Sequence, residues 1–513
     1  MRHAILLLLL SALPLFAQED VGEVAFANSG AAEAQAPFRR GLALLHNFEY
    51  PFAREEFKKA QQIDPSFAMA YWGEAMTHTH PIWFAQDLEA ARAVLQRLAP
   101  TAAERLAKAK TERERAYLGT IEVLYGDGTK NERDFKYLDA MQALHARYPD
   151  DVDAAAFHAL AVLGTTHQGR DFATYMRAAG ILEEVYPAHR RHPGVLHYLI
   201  HSYDDPIHAP LGLRAARTYG SVAPKAPHAL HMTSHIFVAL GMWDEVIDAN
   251  RRAVDETNRQ LAARNKGSAD CGHYPTWLHY GYLQKNDAAA ARTMLDACRT
   301  WALDTPFAPL MARDSKRGRV TEYADMRAHH VASGQPLSAA DLAATVPEGA
   351  DFLDARYTVA YGNVLAQRTD ANALKTSVER LRTLHAAVVE AKKGDDNPTE
   401  RMRAEVMLQE AEALLLAANG KRNEAIALLE AAKKTEEAMP IEFGPPVVAK
   451  PAAELLGDQL LAAGRAAEAE AAYRTALKRV PGRTILVAAY ESARRSAGKT
   501  SRSGETTAAP HKH

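Results

Sequence analysis

The sequence predicts an all-α fold, a superhelical solenoid of antiparallel helix pairs with no sheet. Three observations carry that expectation. The chain has 513 residues, too many for one small core, so one extended repeat array or two to three domains is the starting point. A set of small, aromatic and proline positions recurs at the same offsets near both ends: Gly41, Ala53, Phe57, Ala60 and Pro65, then Gly457, Ala469, Tyr473, Ala476 and Pro481. In the middle, "HPGVLHYLIHSYDD" (His192–Asp205) slides by 34 residues onto "PHALHMTSHIF" (Pro227–Phe237).

Each part follows in order. "MRHAILLLLLSALPLFAQED" has one positive residue, Arg2, before an apolar run from Ala4 to Phe16 that is too short to span a bilayer stably. It reads as a cleaved secretory signal over residues 1–17, so a periplasmic or secreted protein is expected. Residues 18–33 are expected to be a linker. A repeat array is expected over 34–300, an irregular helical region punctuated by Pro and Gly over 301–400, further repeats over 401–495 and a disordered tail over 496–513. No later stretch reaches 18 uninterrupted apolar residues, so the chain is not expected to span a membrane. Net charge is -2, which leaves no electrostatic footprint for nucleic acid. The two cysteines, Cys271 and Cys298, leave both a disulfide and two buried thiols open.

The recurring positions have a physical reading. Small residues let two antiparallel helices approach, the aromatic residue fills the gap between them, and proline ends the second helix. One such pair cannot bury its apolar face alone, so pairs stack. This pattern resembles the tetratricopeptide repeat (TPR) family, and "AEALLLAANGKRNEAIALLEAAKK" repeats it more loosely through Ala413, Ala425, Leu429 and Ala432. The string running from "AMAYWGEAMTHTHPIW" to "CGHYPTWLHYGYLQ" is also similar to a group of large exported bacterial TPR proteins. The resemblance implies a solenoid whose concave groove binds a protein, peptide or small-molecule ligand. It also implies that repeat positions 2, 5, 9, 12 and 13 line that groove.

In that frame His197 and His231 share position 5, and His201 and His235 share position 9. His228 takes position 2, Asp204 and Asp205 take 12 and 13, and His279 takes position 9 of the next repeat. Residues four apart share a helix face, and thirteen of the 22 histidines lie between His145 and His279. The pattern therefore points to a transition-metal site formed by His197, His201, His231, His235, His279 and Asp204. Imidazole ligands suit Zn, Cu or Fe rather than Ca or Mg. A second groove lining is expected from His46, Trp72, Met76 and His80, with His228 and Asp205. His192 and His208 read as loop residues, and His329 and His330 as surface residues.

No HExxH, GxSxG, Walker loop or strand-borne GxGxxG occurs. The first expectation is thus an exported solenoid that binds a ligand or partner and holds a transition metal. One alternative is a metal-dependent hydrolase or oxidase using the same histidines. The other is a metal-free protein-interaction scaffold.

Overall fold

The computed structural model describes residues 20–307 and 315–505, with side chains through residue 498. The expected signal segment, residues 1–17, and the last residues of the tail lie outside them. The described chain is almost wholly helical and runs as successive hairpins. The first are α1 (Gln35–His46) with α2 (Tyr50–Ile63) and α3 (Ala68–Met76) with α4 (Leu88–Leu98), followed by the short α5 (Ala102–Lys108). Then come α6 (Glu112–Leu124) with α7 (Lys130–Arg147), and α8 (Val152–Leu163) with α9 (Phe172–Val185). The central hairpins are α10 (Pro193–Tyr203) with α11 (Ala209–Val222), α12 (Pro227–Leu240) with α13 (Trp243–Ala262), and α14 (His273–Gln284) with α15 (Ala288–Arg299). After α16 (Lys316–Ala332) and the single turn α17 (Ala339–Ala343) come α18 (Leu353–Ala366) with α19 (Ala371–Ala391). The array ends with α20 (Thr399–Ala418) and α21 (Arg422–Glu437), α22 (Ala452–Ala462) and α23 (Ala466–Arg479), and a last helix, α24 (Thr484–Glu505).

The repeat positions do what their sizes require. A β-carbon at Gly41 would stand 3.1 Å from the Phe57 ring, and a side chain at Gly457 would collide with Tyr473. Glycine at these places lets the two helices of a hairpin close on the aromatic residue between them. The molecule is a helical solenoid of the TPR type.

Four features differ from the sequence reading. The α3–α4 connection carries a small antiparallel ribbon, Thr79–His80 with Ala85–Gln86, closed by Phe84 at φ 51°. The tail is helical as far as Glu505, because α24 continues the docked C-terminal hairpin. Residues 18–33 are not a free linker where they are described. Val21 and Phe26 are buried, Asn47 Nδ2 donates to the Val21 carbonyl at 2.7 Å, and Phe26 stacks on Trp72. Finally, the array folds back on itself. Trp243 Nε1 donates to the Gly482 carbonyl at 2.9 Å, and the buried Arg483 joins Glu454 Oε2 at 2.7 Å to the Ala332 carbonyl at 3.1 Å. That docking carries the α21–α22 connection, residues 439–451, onto the central repeats.

Cys271 and Cys298 form a disulfide that ties the loop before α14 to the end of α15. It fixes where α14 begins, and with it the position of His273.

Candidate metal centre

The centre is built on α10 and α12. Each begins with proline at its first turn, where the missing N–H is no loss. Both helices are buried on every side, as their continuous apolar composition requires. Their histidines are therefore interior groups rather than the solvent-facing lining of an open groove.

Two sets of three imidazoles meet there. Ligand nitrogens of His197, His201 and His228 all lie within 4.8 Å of one another, and those of His231, His235 and His273 do the same. His201, Asp204 and His235 form a third set that joins the first two. Imidazoles sharing an ion at ~2.0–2.1 Å place their nitrogens within about 4 Å, so small ring rotations close either set.

The outer hydrogen bonds fix which nitrogen faces inward. His197 Nδ1–H donates to the His46 carbonyl at 2.6 Å, leaving Nε2 as the lone-pair atom. His235 Nδ1–H donates to Asp204 Oδ2 at 2.9 Å. His231 Nδ1–H donates to Asn250 Oδ1 at 2.7 Å, and the orientation of that amide is set because Asn250 Nδ2 donates to the Val246 carbonyl. Arg170 pairs with Asp204 and donates to the carbonyls of Asp204 and His201, which holds the end of α10 in place. With both Nδ1 atoms engaged as donors, His231 and His235 bring two Nε2 lone pairs to 3.1 Å. The Nε2 atoms of His197, His201 and His228 are buried and have no hydrogen-bond partner among the described residues. Such nitrogens are costly unless a proton or a cation lies between them.

Protonation is disfavoured. Burial, then neighbouring imidazoles, holds His197, His228 and His231 well below the ordinary histidine range. Burial takes His235 down to about 4 against the opposing pull of Asp204. Burial works to raise the Asp204 carboxyl, but Arg170 and the hydrogen bonds from His201 and His235 hold it below its usual range. His197, His228, His231 and His235 are thus neutral imidazoles beside one carboxylate, the protonation state that binds metal.

An aromatic shell covers most of the centre. Phe48, held at φ 57° in the α1–α2 turn, sets its ring 4.3 Å from His197. Trp277 stacks on His235 at 4.5 Å, and Tyr274 lies 4.9 Å from His231. Phe443, from the 439–451 loop, covers His235 at 5.0 Å and His201 at 6.2 Å. Gly444 at φ 90° packs against Trp277 where any side chain would collide.

The structure brings together six of the residues singled out from the sequence: His197, His201, His228, His231, His235 and Asp204. It does not bring His279 to them. His279 lies six residues past His273, about 120° around α14, and its Nε2 meets His330 Nδ1 at 3.2 Å on α16. His329 and His330 are accordingly buried rather than on the surface. Asp205 turns away from the centre, accepting from the Ile207 and His208 N–H groups and from His208 Nδ1. Trp72 and Met76 are core residues, because Phe26 of the extended segment covers that side. His46 backs the centre. Its Nε2 meets Asp153 Oδ1 at 2.9 Å, its Nδ1 meets Tyr198 Oη at 3.1 Å, and His192 approaches the same Asp153 oxygen at 3.2 Å. His192 is thus an interior partner rather than a loop residue. Though His46, Asp153 and His192 also cluster, their mutual hydrogen bonds account for them. His80 stacks on Tyr50 at 4.1 Å at the edge of the shell.

The sequence reading missed His273, Asn250, Arg170, Phe48 and Phe443. His273 carried a usable signal, since it opens the first helix of the next hairpin, two residues after Cys271.

The fold and site together define a TPR-type solenoid with an interior cluster of histidines. The sequence matches no protein-family model and no curated protein. Among solved structures, the chain is similar to the TPR domain of P58(IPK), with 11% identity over 91% of this chain and 99% of that one and a TM-score of 0.21. It is also similar to yeast Tom70, with 12% identity over 91% and 96% of the two chains and a TM-score of 0.32. A third likeness is to the APC/C hetero-tetramer Cut9-Hcn1, with 10% identity over 91% and 78% and a TM-score of 0.34. Among the described residues no helix is long and apolar enough to cross a membrane.

Proposed function

We propose that this protein is an exported metal-binding solenoid that holds copper or zinc in the interior histidine centre. The observation that carries the reading is the Nε2-to-Nε2 approach of His231 and His235 at 3.1 Å while both Nδ1 atoms are engaged as donors. A cation between them resolves the lone-pair conflict, and burial opposes the alternative of a bound proton. Donor type selects the metal class. Imidazole-rich sets suit Zn and Cu, whereas Ca and Mg take oxygen ligands. The leader-like N-terminus and the Cys271–Cys298 disulfide support an oxidising, extracytoplasmic setting.

The reading of a metal-free scaffold with an open peptide groove is less well supported. Phe443 and its loop cover the histidines, and the segment with Phe26 lies against Trp72, on residues that an open groove would leave exposed. Elemental analysis of purified protein tests the proposal. Stoichiometric metal in the wild type, lost in a His231→Ala/His235→Ala variant that keeps its helical circular dichroism, supports it. Absence of metal after incubation with zinc and copper and desalting rejects it.

A further inference from the structure

The centre is sealed by aromatic rings on most sides, but one of its imidazoles is open. The His273 side chain is 43% exposed, whereas the other five histidines of the two sets are buried. Its ring lies 4.5 Å from His231 on one side. On the other it forms part of the wall of a cavity of about 280 Å³ between α13, the first turn of α14 and α16. That volume falls just below the usual range for ligand pockets, ~300–1,000 Å³, and suits a small molecule.

The chemistry of the wall narrows what fits. Leu261 and Val254 of α13 and Trp301 supply apolar surface, and Tyr274 adds a ring beside the histidine. The polar groups are few and opposed in charge. Glu322 Oε1 lies 3.9 Å from His273 Nδ1, and the Arg319 guanidinium stacks over the Trp301 ring at 3.4 Å. One cation and one carboxylate leave no net charge to select an ion, while the rings favour a flat apolar body. His273 Nδ1 and Glu322 Oε1, 3.9 Å apart on this wall, are close enough for one hydroxyl to reach both.

We propose that this cavity binds a small uncharged aromatic alcohol of the phenol class, its ring among Leu261, Tyr274 and Trp301 and its hydroxyl toward His273 and Glu322. The ligand then sits one imidazole away from the proposed metal. The pocket itself stands independently of the metal reading, and only the coupling between the two sites rests on it.

The test uses the full chain and 4-methylphenol as probe. In metal-stripped protein, calorimetry should show saturable one-to-one binding, weakened at least tenfold by Leu261→Trp and by the milder Val254→Phe, with thermal melting showing both variants folded. No saturable binding, or binding that both variants leave unchanged, overturns the pocket. In cobalt(II)-loaded protein the probe should shift the visible ligand-field bands. Saturable binding with unshifted bands overturns the coupling. Protein that binds the probe yet takes up none of cobalt, zinc and copper supports the pocket while rejecting the metal reading, so the two failures are distinguishable.

Discussion

His231 and His235 face each other through Nε2 atoms 3.1 Å apart, one turn apart on α12, with Asn250 and Asp204 behind them. The outer residues decide what the inner ones can do. Each holds an Nδ1–H, so each directs a lone pair into the same small space.

Asn250 is therefore a positioning residue for His231. Asn250→Leu leaves the His231 Nδ1–H buried without its acceptor and lets the ring change tautomer. The variant should lose about 1–3 kcal/mol of stability and about 10–100-fold in metal affinity. Urea unfolding and competition with a chromophoric chelator measure the two. Unchanged affinity would show that the Nδ1 bond does not orient a ligand.

Phe443 reaches the centre from the far end of the array, and its ring covers His235 and His201. Phe443→Ala removes that cover without touching a ligand. It should lower stability by up to a few kcal/mol, toward the low end for large-to-small changes because the residue is only partly buried. It should also speed metal removal by EDTA at least tenfold. Stripping kinetics identical to those of the wild type contradict a covering role.

Acid should destabilise the metal-free protein. His46 is held down to about 4 and His329 to about 3, in both cases chiefly by burial. A base with a depressed folded pKa stays neutral in the folded protein while the unfolded chain takes up protons near 6.5. The stability it contributes is present above that value and is lost as pH falls toward 4. Buried carboxyls act in the opposite sense. Burial pushes Glu436 up to about 7 and Glu410 well above its usual range, so their contribution is present at low pH and lost as pH rises. The depressed histidines, among them His197, His228, His231, His235 and His279, outnumber these carboxyls. The net expectation is a loss on the order of several kcal/mol between pH 6.5 and 4. Urea midpoints of stripped protein at pH 7, 5.5 and 4.5 measure it, and a midpoint that rises toward acid contradicts it.

Bound metal should raise the melting temperature in a concentration-dependent way, since a ligand at about 100 times its Kd stabilises the folded state by ~2.7 kcal/mol. His201→Ala should reduce that shift, because His201 belongs both to the first imidazole set and to the set with Asp204 and His235. An equal shift in both proteins would place the metal elsewhere.

Much of the centre was legible because it repeats. His197, His201, His231 and His235 recur at one interval on equivalent helices, and helical spacing alone gives them a common face. The hairpin packing around Gly41 and Phe57 was legible for the same reason. What escaped depends on long-range docking. The groove frame presumes an open concave surface, yet Phe26 and Phe443 close it from distant parts of the chain. Trp72 and Met76 became core residues as a result. His279 was misplaced because the disulfide-tied loop sets where α14 starts, and a small rotation of a helix exchanges one face for another.

The most direct test of the metal centre is anomalous diffraction from crystals grown with zinc and recorded above and below the zinc edge. An anomalous peak about 2.0–2.1 Å from the Nε2 atoms of His231 and His235 is the predicted result. A map with no peak among the six imidazoles, from protein whose other sites have taken up zinc, would contradict it.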